Sequence, residues 1–168
     1  NFIFISSTSA VGTGSQRLMN EIDVPDLEVK RRTDAYGYSK LVSEAELRGM
    51  TDAMRVIILN PSVILGPGSD RVDMAMRAAK ILPAIPMLQY VNSFVDVRDV
   101  AQAVVLALTR GRSGERYVVT AWNEGMVEFT RPVLRLAGRK AWVVPLSGRG
   151  VKVMDVFLWL LDKVKLNP

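Results

Sequence analysis

Apolar residues come along the chain in short blocks separated by polar stretches of irregular length, a pattern that predicts buried strands alternating with helices. Residues 2–5, Phe-Ile-Phe-Ile, are aromatic or β-branched throughout and predict a buried strand, with Ser6, Ser7, Thr8 and Ser9 at its end. Residues 55–59 predict a second buried strand, which runs through Asn60-Pro61-Ser62 into a Gly66-Pro67-Gly68 turn, with Pro61 ending the ladder. Further strands are expected at 94–97, at 116–120 and at 141–144, where Pro145 follows. A helix is expected from Asp34, or Thr33, as N-cap to about Arg48, with Gly49 as its stop. Its apolar side is Ala35, Leu41, Val42, Ala45 and Leu47, and Glu44 with Arg48 makes a solvent-side pair of small value.

Residues 71–82 carry Val72, Met76, Ala79 and Leu82 at helical spacing. Residues 98–108 are rich in alanine, valine and leucine and predict a buried helix with Asp99 in its first turn. A helix over 127–137 is closed by Gly138, and 151–165 forms an amphipathic helix with Val153, Val156, Phe157, Leu160, Leu161 and Val164 near one face. By contrast 12–33 is polar, contains Pro25 and shows no period, so a loop is expected there, of the kind that borders the mouth of an α/β active site.

Candidate chemistry sits in the helix that begins at Asp34. Tyr36 and Lys40 are four residues apart and share one face. A phenol ordinarily ionises near about 10, and an ammonium held beside it favours the phenolate, so such a pair can move protons. Tyr38 is the rival, but position 42 is valine and offers it no ammonium. The spacing alone is equally well explained by an exposed helix; its surroundings decide.

A strand ending in hydroxyls, a helix with Tyr36 and Lys40, a strand ending in Asn60-Pro61, and then Phe94-Val95-Asp96-Val97-Arg98-Asp99-Val100-Ala101 occur in that order. The order closely resembles the extended short-chain dehydrogenase/reductase family, especially its branch of 3β-hydroxysteroid dehydrogenases, dihydroflavonol reductases and nucleotide-sugar epimerases. The resemblance implies an α/β fold with a partial Rossmann-like, doubly wound parallel sheet and a small α/β substrate-binding region. It also implies an NAD or NADP cofactor and hydride transfer to or from a carbonyl or alcohol.

Among Ser6, Ser7 and Thr8, the family pattern selects Ser7, five residues before Gly12, as the hydroxyl that orients the substrate oxygen. Tyr36 would give or take the hydroxyl proton, and Lys40 would assist it while holding the nicotinamide ribose. Asn60, Pro61 and Ser62 are implied cofactor contacts, and Thr8, Asn60 and Arg98 implied substrate contacts, although an ion pair with Asp96 or Asp99 explains Arg98 equally well. Val11 stands where the epimerase branch usually has tyrosine, which weakens a sugar-nucleotide assignment. Oxidoreduction of a steroid-like or other apolar alcohol is therefore the first expectation, nucleotide-sugar epimerisation or dehydration the second, and a non-catalytic NAD(P)-sensing binding module the third.

Composition narrows the rest. With 168 residues, 49 % of them apolar, the chain suits one domain with a real core. It has no cysteine and no histidine, which excludes disulfides, thiolate chemistry, Ser-His-Asp hydrolysis and the usual zinc sites. The net charge of +5 is dispersed, so a small-molecule substrate and no nucleic-acid partner is expected. No signal peptide or membrane span is visible: the apolar stretch 153–164 is short and interrupted by Asp155 and Asp162, so a cytoplasmic protein is expected, with a peripheral membrane contact left open.

Gly12-Thr13-Gly14 lacks the third glycine of a dinucleotide fingerprint, and the chain opens inside a core strand. Residues 1–168 are accordingly expected to be the C-terminal portion of one extended short-chain dehydrogenase-like domain whose N-terminal βαβ half is absent. Such a portion alone would expose a sheet edge and is expected to aggregate, swap or form a homodimer.

Overall fold

The computed structural model describes residues 1–12, 17–67, 84–140 and 142–147. The chain divides into two compact units, one of Asn1–Pro67 with Ser93–Trp122 and the other of Gly68–Asn92 with Asn123–Pro168. The helices expected at 71–82 and 151–165 lie outside the described residues.

The first unit is built on three parallel strands, β1 (Phe2–Ile5), β2 (Val56–Pro61) and β6 (Arg116–Val119), in the order β1-β2-β6. β2 is central, and all six of its residues are buried, as expected for a parallel strand covered on both faces. One strand not foreseen from the sequence completes the local picture: β3 (Val63–Leu65) pairs in parallel with β5 (Val91–Asp96), the strand expected at 94–97, in register Val63↔Phe94 to Leu65↔Asp96. Pro61 does not interrupt the ladder; it is the last residue of β2, opposite Val119.

Four helices belong to this unit. α1 (Thr8–Val11) is a single turn after β1. α2 (Leu27–Thr33) corrects the expectation of a loop over 12–33: Asp26 caps it by accepting from the Val29 amide at 2.8 Å, and Glu28 pairs with both Arg31 and Arg32 at 2.9 Å. Its one buried residue is Lys30, so no apolar period announced it.

α3 (Ala35–Arg48) begins where expected, with the Asp34 carboxylate accepting from the Gly37 amide at 2.8 Å, and ends at Gly49. Its buried face is Gly37, Leu41 and Glu44; Ala35 and Ala45 are exposed. Gly37 leaves room for the Asp34 carboxylate and the end of the Lys30 side chain, which a Cβ there would force to shift.

α4 (Val97–Arg110) is wrapped less completely than its composition suggested. Val100, Ala103, Val104 and Ala107 form the inward stripe, and Ala103, Val104 and Ala107 pack with Ile57, Leu59, Ile3, Tyr117 and Val119. Val105, Leu106 and Leu108 are exposed. Full burial of a side chain such as Ile57 or Leu59 contributes about 1.5–3 kcal/mol, so this stripe fixes α4 on the sheet.

In the second unit β4 (Ala84–Leu88) pairs in parallel with β8 (Trp142–Leu146), and α5 (Met126–Leu136) sets Leu134 against Ile85, Met87 and Val143. β7 (Trp122–Gly125) neighbours β5 in the order β3-β5-β7. β4 and β7 were not expected from the sequence.

Asp34 ties α2 to α3, since it also forms an ion pair of 2.8 Å with the buried Lys30. Burial pushes its carboxyl up, but the Lys30 ammonium and the amides of Gly37 and Tyr36 outweigh that and hold it below the usual carboxylate range. A depressed carboxyl contributes stability that is present above its unfolded value, near about 4, and lost as pH falls through the lower folded value. Asp34→Ala is expected to lose about 1 kcal/mol at pH 7. Urea midpoints of variant and wild type should differ at pH 7 and converge in acid; an equal gap at both would remove the charge from the account.

Candidate active site

Because β1, β2 and β6 are parallel, Ser7, Asn60 to Ser62 and Thr120 gather at one carboxyl edge of the sheet. That edge is where open parallel sheets take their ligands. α3 brings Tyr36 and Lys40 to it. Lys40 Nζ donates to the Ile5 carbonyl at 3.0 Å and lies 5.0 Å from the Phe4 ring centre and 5.9 Å from that of Tyr36. Tyr36 is 56 % exposed, so its phenol is accessible, whereas Tyr38 is half-buried. An ammonium has three donors, and the bond to Ile5 leaves two for other acceptors.

Ser7 follows β1 and caps α1, its Oγ accepting from the Ser9 amide at 3.2 Å. Asn60 is fully buried, and its Nδ2 donates to the Ser7 carbonyl at 2.9 Å. Pro61 is buried beside it. Ser62 donates to Thr120 Oγ1 at 3.3 Å, and Thr120 donates to the Phe94 carbonyl at 3.4 Å, which joins the ends of β2, β6 and β5. Thr8 opens α1 directly after Ser7.

Arg98 behaves differently. Its guanidinium forks onto Asp96, with Nε donating at 2.8 Å and Nη2 at 2.7 Å, and this hydrogen bonding holds the Asp96 carboxyl down to about 2. Its contacts are to its own strand-helix junction and not to Ser7, Tyr36 or Lys40.

One residue of the site was misjudged from the sequence. Glu44, expected on the solvent side, is fully buried. Its Oε1 accepts from Ser6 Oγ at 2.5 Å and from Asn60 Nδ2 at 2.6 Å, while Oε2 faces Arg116 Nη1 at 3.3 Å and Arg48 Nη2 at 3.6 Å. Arg116 is itself buried and donates further to the carbonyls of Glu21 and Asp23. The i,i+4 pair of Glu44 and Arg48 is real, but the sequence signal for it is the same at the surface and in the core. Among the described residues no cluster of His, Cys, Asp or Glu could hold a metal ion, and no helix is long and apolar enough to cross a membrane.

A Tyr-Lys helix laid along the carboxyl edge of a parallel sheet defines a Rossmann-like α/β protein of the short-chain dehydrogenase type. The chain belongs to the NAD dependent epimerase/dehydratase family, whose profile matches residues 1–120. It is 32 % identical over 154 residues to sterol demethylase protein B of Methylococcus capsulatus, an alignment covering 82 % of this chain and 45 % of that protein. It is 28 % identical over 172 residues to a Synechocystis protein with a provisional dihydroflavonol 4-reductase name, covering 96 % and 48 %. The chain therefore spans about half the length of these curated relatives.

Its fold matches a nucleoside-diphosphate-sugar epimerase from Pseudomonas aeruginosa with a TM-score of 0.77 at 24 % identity, covering 94 % of this chain and 53 % of that one. Solved structures of the same fold include complexes with NADPH and with NAD.

Proposed function

We propose that the full-length protein transfers hydride between NAD or NADP and a carbonyl or secondary alcohol of an apolar, steroid-like substrate. The observation that carries this reading is the accessible Tyr36 phenol with Lys40 beside it, at the sheet edge where Ser7 stands. The donor set fits a nicotinamide dinucleotide: Lys40 has donors to spare for ribose hydroxyls, and Asn60, Pro61 and Ser62 form a firm wall at the same edge. When bound, the dinucleotide supplies or accepts the hydride.

The chain's own residues handle the proton and the developing charge. Tyr36 gives its proton to the substrate oxygen during reduction, or takes it during oxidation. Ser7 Oγ donates to the same oxygen and stabilises its negative charge. Lys40 stabilises the charge left on Tyr36 and fixes the cofactor's ribose. Thr8, Asn60 and Arg98 are assigned to the substrate side, although the fork of Arg98 on Asp96 must open for it to take part.

The names of the sterol and dihydroflavonol relatives support an apolar alcohol. Nucleotide-sugar epimerisation or dehydration is the second reading, favoured by the family's description, and uses the same groups with the hydride returned. A non-catalytic NAD(P)-sensing module is the third. The proposal also makes residues 1–168 the C-terminal portion of one dehydrogenase-like domain in a cytoplasmic protein, in line with the relatives' greater length.

The test is cofactor turnover by the full-length protein with a panel of hydroxysteroids, other apolar secondary alcohols and nucleotide sugars. Net absorbance change of the nicotinamide with the apolar alcohols is the expected result. Sugar conversion without net change of the cofactor would install the second reading, and cofactor binding with no conversion of any substrate the third.

A further inference from the structure

We propose that Glu44 is a positioning residue that holds Ser7 and Tyr36 in a common register; as a statement about catalysis this rests on the reaction proposed above. Tyr36, Lys40 and Glu44 are successive turns of one stripe on α3. Each of the lower two reaches a different residue at the end of β1. Lys40 takes the Ile5 carbonyl, and Glu44 takes the Ser6 hydroxyl. Through Asn60 Nδ2, which donates both to Glu44 Oε1 and to the Ser7 carbonyl, the stripe also reaches Ser7. Three consecutive residues, Ile5, Ser6 and Ser7, are thus tied to the helix that carries Tyr36.

The orientation of Asn60 is unambiguous because both its Nδ2 partners are acceptors. It follows that the Glu44 carboxylate sets the amide, and the amide sets the Ser7 backbone. A buried ion pair is not needed for stability, since apolar residues of similar volume commonly stabilise a core as well or better. What the carboxylate adds is direction: three donors, Ser6 after β1, Asn60 of β2 and Arg116 of β6, converge on its two oxygens, with the Arg48 cation at 3.6 Å. Tyr36 and Ser7 must both meet one substrate oxygen, and a displacement of either by about 1 Å can cost roughly a hundredfold in rate.

Glu44→Gln in the full-length protein tests this. A glutamine must turn its NH₂ either toward the Arg116 guanidinium or toward the Asn60 amide, so one half of the network is lost. We expect kcat to fall roughly ten- to hundredfold while the cofactor KM stays within about threefold, measured well below the variant's unfolding midpoint. Amide hydrogen exchange gives a readout that needs no turnover: it should quicken at 7–11, 60 and 62 and stay unchanged at 100–107 in α4. An unchanged kcat, or exchange that rises uniformly across the unit, overturns the proposal and leaves Glu44 a plain strut.

If the wild type shows no cofactor turnover, the reaction assigned above fails, and the exchange pattern by itself decides whether Glu44 positions Ser7. If the variant does not accumulate folded, Ser6→Ala decides instead, because it removes one donor and leaves no charge unpaired. A kcat lowered about threefold, or in the absence of turnover local exchange at 7–11, supports the proposal, and neither overturns it.

Discussion

Replacing Tyr36 by phenylalanine should lower kcat by about 10²–10⁴-fold and leave cofactor affinity within about threefold. The substitution removes one oxygen from a ring that is 56 % exposed, so the fold has little to lose. Lys40 keeps its bond to the Ile5 carbonyl and its place over the Phe4 ring, so the ribose contact proposed for it should survive. Only the proton transfer disappears. Steady-state rates with the best substrate, paired with a fluorescence titration of the reduced cofactor, separate the two effects. Equal turnover by the variant would move the proton transfer elsewhere, and Tyr38→Phe is the natural next comparison, although Tyr38 is half-buried and lacks the lysine.

The largest loss of stability is expected from Arg116→Ala. Glu44 would remain fully buried with its only other cation, Arg48, at 3.6 Å and on the outer side. Breaking one partner out of a buried pair costs about 3–5 kcal/mol, because a charge is left without its counterpart. Two further bonds vanish, those to the carbonyls of Glu21 and Asp23, which anchor the stretch before α2 to β6. Urea unfolding should show the midpoint falling with little change in slope. The double variant Arg116→Met with Glu44→Leu should recover most of the loss; if it is no more stable than Arg116→Ala, the penalty lies in the lost anchoring and not in the stranded carboxylate.

What could be read from the sequence was what local chemistry announces. Asp34 and Gly49 bracket α3 because capping is a property of a few neighbouring residues, and Phe2 to Ile5 and Val56 to Leu59 were legible as strands because both are unbroken apolar runs, although only the second is buried throughout and β1 is exposed at both ends. Four-residue spacing placed Tyr36 and Lys40 on one face of that helix, but only the order of the motifs around them singled the pair out as a candidate. α2 was missed because the face it buries is a lysine, made tolerable by Asp34 one turn later in space and in the next helix. β3 has only three residues, and β4 and β7 carry proline, asparagine or glycine, so their pairing comes from the strands beside them and not from their own composition. Glu44 was misplaced for a related reason: the partner that makes its burial bearable, Arg116, lies 72 residues away. The candidate edge was therefore visible, and the braced carboxylate behind it was not.

The capping bond at Ser7 has a consequence for the direction in which its hydroxyl can act. A serine hydroxyl holds one proton and two lone pairs, and the Ser9 amide already occupies one of those pairs at 3.2 Å. With that side taken, the proton is confined to the remaining staggered positions of the rotor. The group is set to give a hydrogen bond more readily than to receive a second one. In the reaction proposed above, a carbonyl or an alkoxide would accept from this hydroxyl, and an alcohol would do the same while giving its own proton to Tyr36. On that reading the first turn of α1 would act as a polarity filter on what the sheet edge accepts.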